Sequence, residues 1–84
     1  MIEEIVLDTR ELEAPEPIIK VLENISNLTR NSYIKMIHRM EPKMLLTHLL
    51  EKDLKYRIIQ ENEDFNIYIW NKDFNEKDIK CLQD

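Results

Sequence analysis

Five side chains are of the right types to hold a small anion between them: Arg10, Glu16, His38, Arg39 and Lys43. Arg10, Arg39 and Lys43 supply the positive charge that a phosphate or carboxylate needs. His38 ends an apolar run, where an imidazole can serve as base, ligand or proton switch. Asp8 falls in the same stretches, and the four glutamates there, Glu11, Glu13, Glu16 and Glu41, oppose an anion, although Glu16 and Glu41 also suit helix N-termini. The competing description of these residues is a solvated charged rim. His48 lies off the apolar stripe of its segment and reads as surface.

Other chemistries find less support. The two histidines and the scattered carboxylates have no metal-ligand spacing; no HExxH or paired CxxC is present. No Ser/His/Asp or Cys/His arrangement can be inferred, so no catalytic residue is expected. Cys81 is the single cysteine, and Lys77 and Lys80 beside it favour a thiolate. A packing or incidental role for it competes with a thiol carrier.

Positioning such residues requires regular elements, and the pattern supplies them. Ile2 to Asp8 alternates as a first strand, with Ile5 and Leu7 on one face and Val6 on the other. Pro15 and Pro17 sit where a helix begins, and Ile18, Val21, Leu22, Ile25 and Leu28 follow at helical spacing. Tyr33 to His38 is a second strand. Pro42 opens a second helix with the stripe Leu45, Leu46, Leu49 and Leu50. Tyr56 to Gln60 and Phe65 to Trp70 are two further strands, joined as a hairpin through Glu61 to Asp64. Asn75 caps a last helical turn over Glu76 to Leu82, with Asp78 as a weak partner.

The order is β-α-β-α-β-β in one domain, residues 1–84, with 75–84 as a C-terminal extension. Right-handed crossovers put both helices on one face of the sheet, an α+β two-layer sandwich. The ends of the first two strands and the starts of both helices then share one edge, where ligands of open sheets bind. No helix remains for the other sheet face. Tyr68 and Trp70 share one side of the last strand, opposite Phe65, Ile67 and Ile69. They form either an exposed partner surface or the floor under a folded-back segment from Phe74 to Leu82.

Composition narrows the function classes. A chain of 84 residues with net charge −5 is a poor nucleic-acid or anionic-membrane binder, because both rest on positive charge. No apolar run reaches the roughly 18 residues of a membrane span, and MIEEIVLD lacks a basic leader region. One cysteine excludes an internal disulfide and fits a reducing cytoplasm. There is no glycine, which rules out the Gly-rich phosphate loops and leaves turns to Asn and Asp.

Two stretches carry a likeness to known proteins. LDTRELEAPEPIIKVLENI, Leu7 to Ile25, resembles the strand-loop-helix opening of the TusA/SirA sulfur-carrier family, whose signature is Cys-Pro-x-Pro at the first helix. IHRMEPKMLLTHLLEKDLKYRI, Ile37 to Ile58, resembles a bacterial family of unknown function with the same fold and a PPEPL-like opening. The resemblance implies a mixed four-stranded sheet of order 1-2-4-3, with the fourth strand antiparallel. This chain has Ala14-Pro15-Glu16-Pro17 at the signature, so the persulfide-bearing cysteine is replaced by Ala14. The resemblance therefore implies a fold and no sulfur transfer at that position.

The expectation is a non-catalytic binding module for a small anionic ligand or cofactor of unknown identity, at Arg10, Glu16, His38, Arg39 and Lys43. The alternative is an interaction accessory or homodimer through Tyr68 and Trp70, linked to redox or sulfur metabolism. A thiol carrier acting through Cys81 is third.

Overall fold

The computed structural model describes residues 1–82; the last two positions of the expected extension lie outside the described residues. Strands β1 (Glu3–Asp8), β2 (Ser32–His38), β3 (Lys55–Glu61) and β4 (Asp64–Trp70) form one sheet of order β1-β2-β4-β3. β1 runs parallel to β2, and β4 is antiparallel to both β2 and β3. Helices α1 (Glu16–Ile25) and α2 (Lys43–Glu51) make the crossovers. The architecture is the α+β sandwich with the strand order expected. Among the described residues, no helix is long and apolar enough to cross a membrane.

Both helices pack on the same sheet face, but Leu50 of the expected α2 stripe is exposed, one position past the side that Leu45 and Leu49 bury. Val21 of α1 and Leu45 and Leu49 of α2 pack with Leu7, Ile34, Met36, Leu54, Ile67 and Ile69. Leu7, Ile34, Met36, Ile67 and Ile69 are the inward-pointing members of the β1, β2 and β4 alternations, at spacing two in the sheet and three to four in the helices, and Leu54 leads into β3. Each such side chain, once buried, contributes roughly 1.5–3 kcal/mol.

Turns are made without glycine. Asp53, between α2 and β3, has φ 58°, and Asn62, in the β3–β4 hairpin, has φ 60°. Both side chains are of the type that tolerates the left-handed region. Glu61 pairs with Asp64, so the hairpin loop is the two residues 62 and 63 rather than four polar residues. The strong right-handed twist of a hairpin favours this tighter turn.

The second sheet face is closed as well. The chain leaves β4, folds back, and sets Phe74, Ile79 and Leu82 over Tyr33, Tyr68 and Trp70. Tyr68 and Trp70 are only 4% and 3% exposed, so they form no open patch. Their rings need an apolar cover, and the segment beyond them supplies three apolar side chains. Instead of an α-helical turn it makes two 3₁₀ turns, Glu76–Asp78 and Lys80–Leu82. Asn75 does cap the first, its Oδ1 accepting from the Lys77 amide at 3.1 Å. Two isolated turns place Ile79 and Leu82 down on the sheet while leaving Lys80 and Cys81 exposed.

Candidate functional site

The candidate site begins with how β1 ends. The Thr9 amide donates to the Ile37 carbonyl at 2.9 Å, extending the β1–β2 ladder by one residue. The Thr9 hydroxyl donates to that same carbonyl at 2.9 Å. Thr9 is thereby fully buried beside His38, the last residue of β2.

His38 is 8% exposed. Its Nδ1 lies 3.0 Å from Thr9 Oγ1 and 3.2 Å from the Thr9 carbonyl oxygen. The Thr9 carbonyl only accepts, and the Thr9 hydroxyl accepts from a protonated Nδ1 while it donates to Ile37. This arrangement favours the neutral tautomer with its proton on Nδ1, because the reverse tautomer would face the carbonyl with a lone pair. A neutral ring then carries its lone pair on Nε2, for which the described residues provide no hydrogen-bond donor.

His38 lines an open cavity of about 410 Å³ between the starts of the two helices. Its walls are mostly apolar: Leu12, Ala14, Pro17 and Ile18 on one side, Met40, Pro42 and Met44 on the other. No buried side-chain nitrogen or oxygen lacks a partner among the described residues. Nε2 is therefore accessible, and the cavity is the space that the ring borders. Arg39 and Lys43 stand at the rim together with Glu13 and Glu41. These four charges cancel, so the electrostatic bias comes from the backbone.

Neither helix has a side-chain N-cap. In α1 the Glu16 amide takes the Glu13 carbonyl and the Ile19 amide the Pro15 carbonyl, while Pro17 has no N–H. In α2 the Lys43 and Leu46 amides are taken by Glu41 and Pro42. The amides of Ile18, Met44 and Leu45 have no acceptor among the described residues. Two helix dipoles thus present their positive ends toward one apolar cavity.

The five expected residues divide three ways. His38, Arg39 and Lys43 meet at this cavity. Arg10 lies in an adjoining groove that shares Leu12 and Arg39 with it. There its guanidinium is bound to Asp8 at 2.7 Å and to Asp64 at 3.1 Å. The Arg10 hydrogen bonds hold the Asp8 carboxyl down at about 2, and Asp8 and Asp64 in turn raise the Arg10 guanidinium further above its ordinary value. Arg10 therefore ties the end of β1 to the start of β4 and is not a free cation for a ligand. Glu16 faces away, lining a shallow groove with Ile19, Lys20 and Glu23. The first turn of α1 turns Pro17 and Ile18 toward the cavity, and Glu16 belongs to the opposite side of the helix.

What the charged residues concealed was the apolar lining. Leu12 and Met40 sit in the connections between the expected elements, and Met44 lies in the expected second helix but off its leucine stripe. The signal available was Met40 and Met44, four apart across Pro42 and 60% and 70% exposed. Comparison of this chain with protein-family models, with curated proteins and with solved structures finds no match.

Proposed function

We propose that this domain is a non-catalytic binding module for a small amphipathic anion. The ligand's apolar body fills the cavity between α1 and α2, and its acidic group lies at the rim near Arg39, Lys43 and the open amides of α2. The observation that carries this reading is the cavity itself: about 410 Å³, apolar-walled, and bordered by a nine-tenths buried imidazole with an unused nitrogen. That volume lies within the roughly 300–1,000 Å³ of small-molecule pockets, which likewise combine apolar walls with a few converging polar groups.

The resemblance to the sulfur-carrier family fits this placement. Ala14 stands where those proteins carry their thiol, and Ala14 is part of the cavity wall. A methyl group there offers contact and no nucleophile. Cys81 belongs to the segment covering the opposite sheet face, near Tyr68, and does not border the cavity. The interaction reading loses its main support, since the chain's own Phe74, Ile79 and Leu82 occupy the aromatic face.

The test is an amide NMR titration with octanoate, octanol and inorganic phosphate. Octanoate is expected to shift residues 12–18 and 38–44 and to bind more tightly than octanol or phosphate, each of which offers only half of its chemistry. Arg39→Ala should weaken octanoate about three- to tenfold with the fold intact, the scale of one exposed charge contact. Octanoate shifts that avoid both segments would overturn the proposal.

A further inference from the structure

We infer that the ligand of this cavity carries, besides an acidic group and an apolar body, a hydrogen-bond donor that His38 Nε2 accepts. The inference rests on the binding reading above and specifies the chemistry of its ligand.

The argument is one of proton counting. Thr9 presents two oxygens to Nδ1: the carbonyl can only accept, and the hydroxyl accepts while its proton goes to Ile37. A neutral ring therefore favours N–H toward Thr9 and a bare lone pair on the other side. Thr9 is fully buried, and its amide is locked into the β1–β2 ladder. Reversing the tautomer would set the Nδ1 lone pair against the Thr9 carbonyl and draw the hydroxyl proton away from Ile37, which costs about one hydrogen bond.

His38 lines a cavity whose apolar walls, Leu12, Ala14, Pro17, Ile18, Met40, Pro42 and Met44, carry no side-chain hydrogen-bond donor; the side-chain donors of the lining are the charged Arg39 and Lys43. An apolar ligand filling this space would strip water from Nε2 and return nothing. A ligand with a hydroxyl or amide N–H at that depth satisfies it. Discrimination is strongest in such a setting, because a site built around a polar group rejects the analogue that leaves the group unpaired. The ligand class is then a hydroxy- or amide-bearing amphipathic acid rather than a plain fatty acid.

Two measurements on the intact protein test this. The ¹⁵N shifts of the His38 ring in its neutral form are expected to show a protonated Nδ1 and an unprotonated Nε2; the reverse tautomer overturns the inference. Octanoate is then compared with hydroxyoctanoates in which the hydroxyl is walked along the chain. At least one isomer is expected to bind about tenfold more tightly than octanoate, the worth of one hydrogen bond to an otherwise unpaired group. In His38→Phe that preference should vanish. If octanoate binds at residues 12–18 and 38–44 and no hydroxyl isomer improves on it, this inference fails and the binding module stands. If neither kind of acid binds there, both fail. The tautomer and the wild-type preference need no variant, so they decide even where His38→Phe does not fold.

Discussion

The two faces of the sheet are both buried, but by different means. The helix face is aliphatic and is covered by α1 and α2, whose backbones satisfy themselves in regular ladders. The opposite face is aromatic, with Tyr33 and Tyr68 at 6.2 Å and Tyr33 and Phe74 edge-on at 5.6 Å. Among the described residues, the backbone hydrogen bonds of its cover, from Phe74 to Leu82, are short-range, such as Asp78 to Asn75 and Leu82 to Ile79. Arg57 adds one longer contact, donating to the Leu82 carbonyl at 3.4 Å. The difference teaches that periodic residues bind a helix to the sheet over its length, while the strap rests on three apolar anchors with side-chain contacts such as Arg57 to Leu82 beside them.

The largest effect should come from Leu45→Ala, which empties a fully buried position under α2. The expected loss is about 2–5 kcal/mol, a large share of the stability of a chain this small. Urea melts followed by circular dichroism should show a single transition moved to much lower denaturant.

Ile79→Ala opens an equally buried position under the strap and should cost less globally. Trp70, the only tryptophan, lies beneath that strap and reports on it. Its emission should shift to the red before the helical signal melts, because the locally bonded segment can open without the sheet. Coincident transitions in this variant would show the two faces to be one cooperative unit and would break the comparison.

The smallest effect is in alkali. Burial, then the Glu4 carboxylate accepting from its hydroxyl at 2.6 Å, raises the Tyr33 phenol above its ordinary range. Burial and the neighbouring Cys81 do the same for Tyr68. Both phenols are therefore neutral in the folded chain at pH values where the unfolded chain has begun to lose protons. Their contribution is whole below about pH 10, the ordinary tyrosine value, and declines as pH rises beyond it. Tyrosinate absorbance should then rise together with exposure of Trp70. Ionisation of both phenols near pH 10, with Trp70 still covered, would count against this account of the strap face.

Much of the fold is legible in the residues. The alternation of Ile34 and Met36 with Tyr33 and Lys35, and the Leu45/Leu49 stripe, mark elements that burial then confirms. The hairpin turn was less so, since without glycine nothing in Glu61 to Asp64 announces which residue takes the left-handed backbone; Asn62 does. The strap was visible only as one of two options for Tyr68 and Trp70. At the site, His38, Arg39 and Lys43 could be placed together because the topology brings the end of β2 to the start of α2. Arg10 and Glu16 could not be sorted this way. Pairing with Asp64 depends on β4 lying two strands from β1, and the side of α1 that bears Glu16 depends on where its first turn begins.

The strand order also has a consequence during synthesis. β1, α1, β2 and α2 leave the ribosome before β4, and β4 is the strand that fills the second edge of β2. Until the chain is complete through Trp70, β2 presents a nearly all-apolar run, Tyr-Ile-Lys-Met-Ile, with one side of its backbone unpaired. Such an edge invites pairing with another nascent chain. Lys35, at the centre of that run, is the one charge that opposes it. In the finished protein the same ammonium rests 6.0 Å from the Tyr68 ring, on the strand that arrives to close the gap.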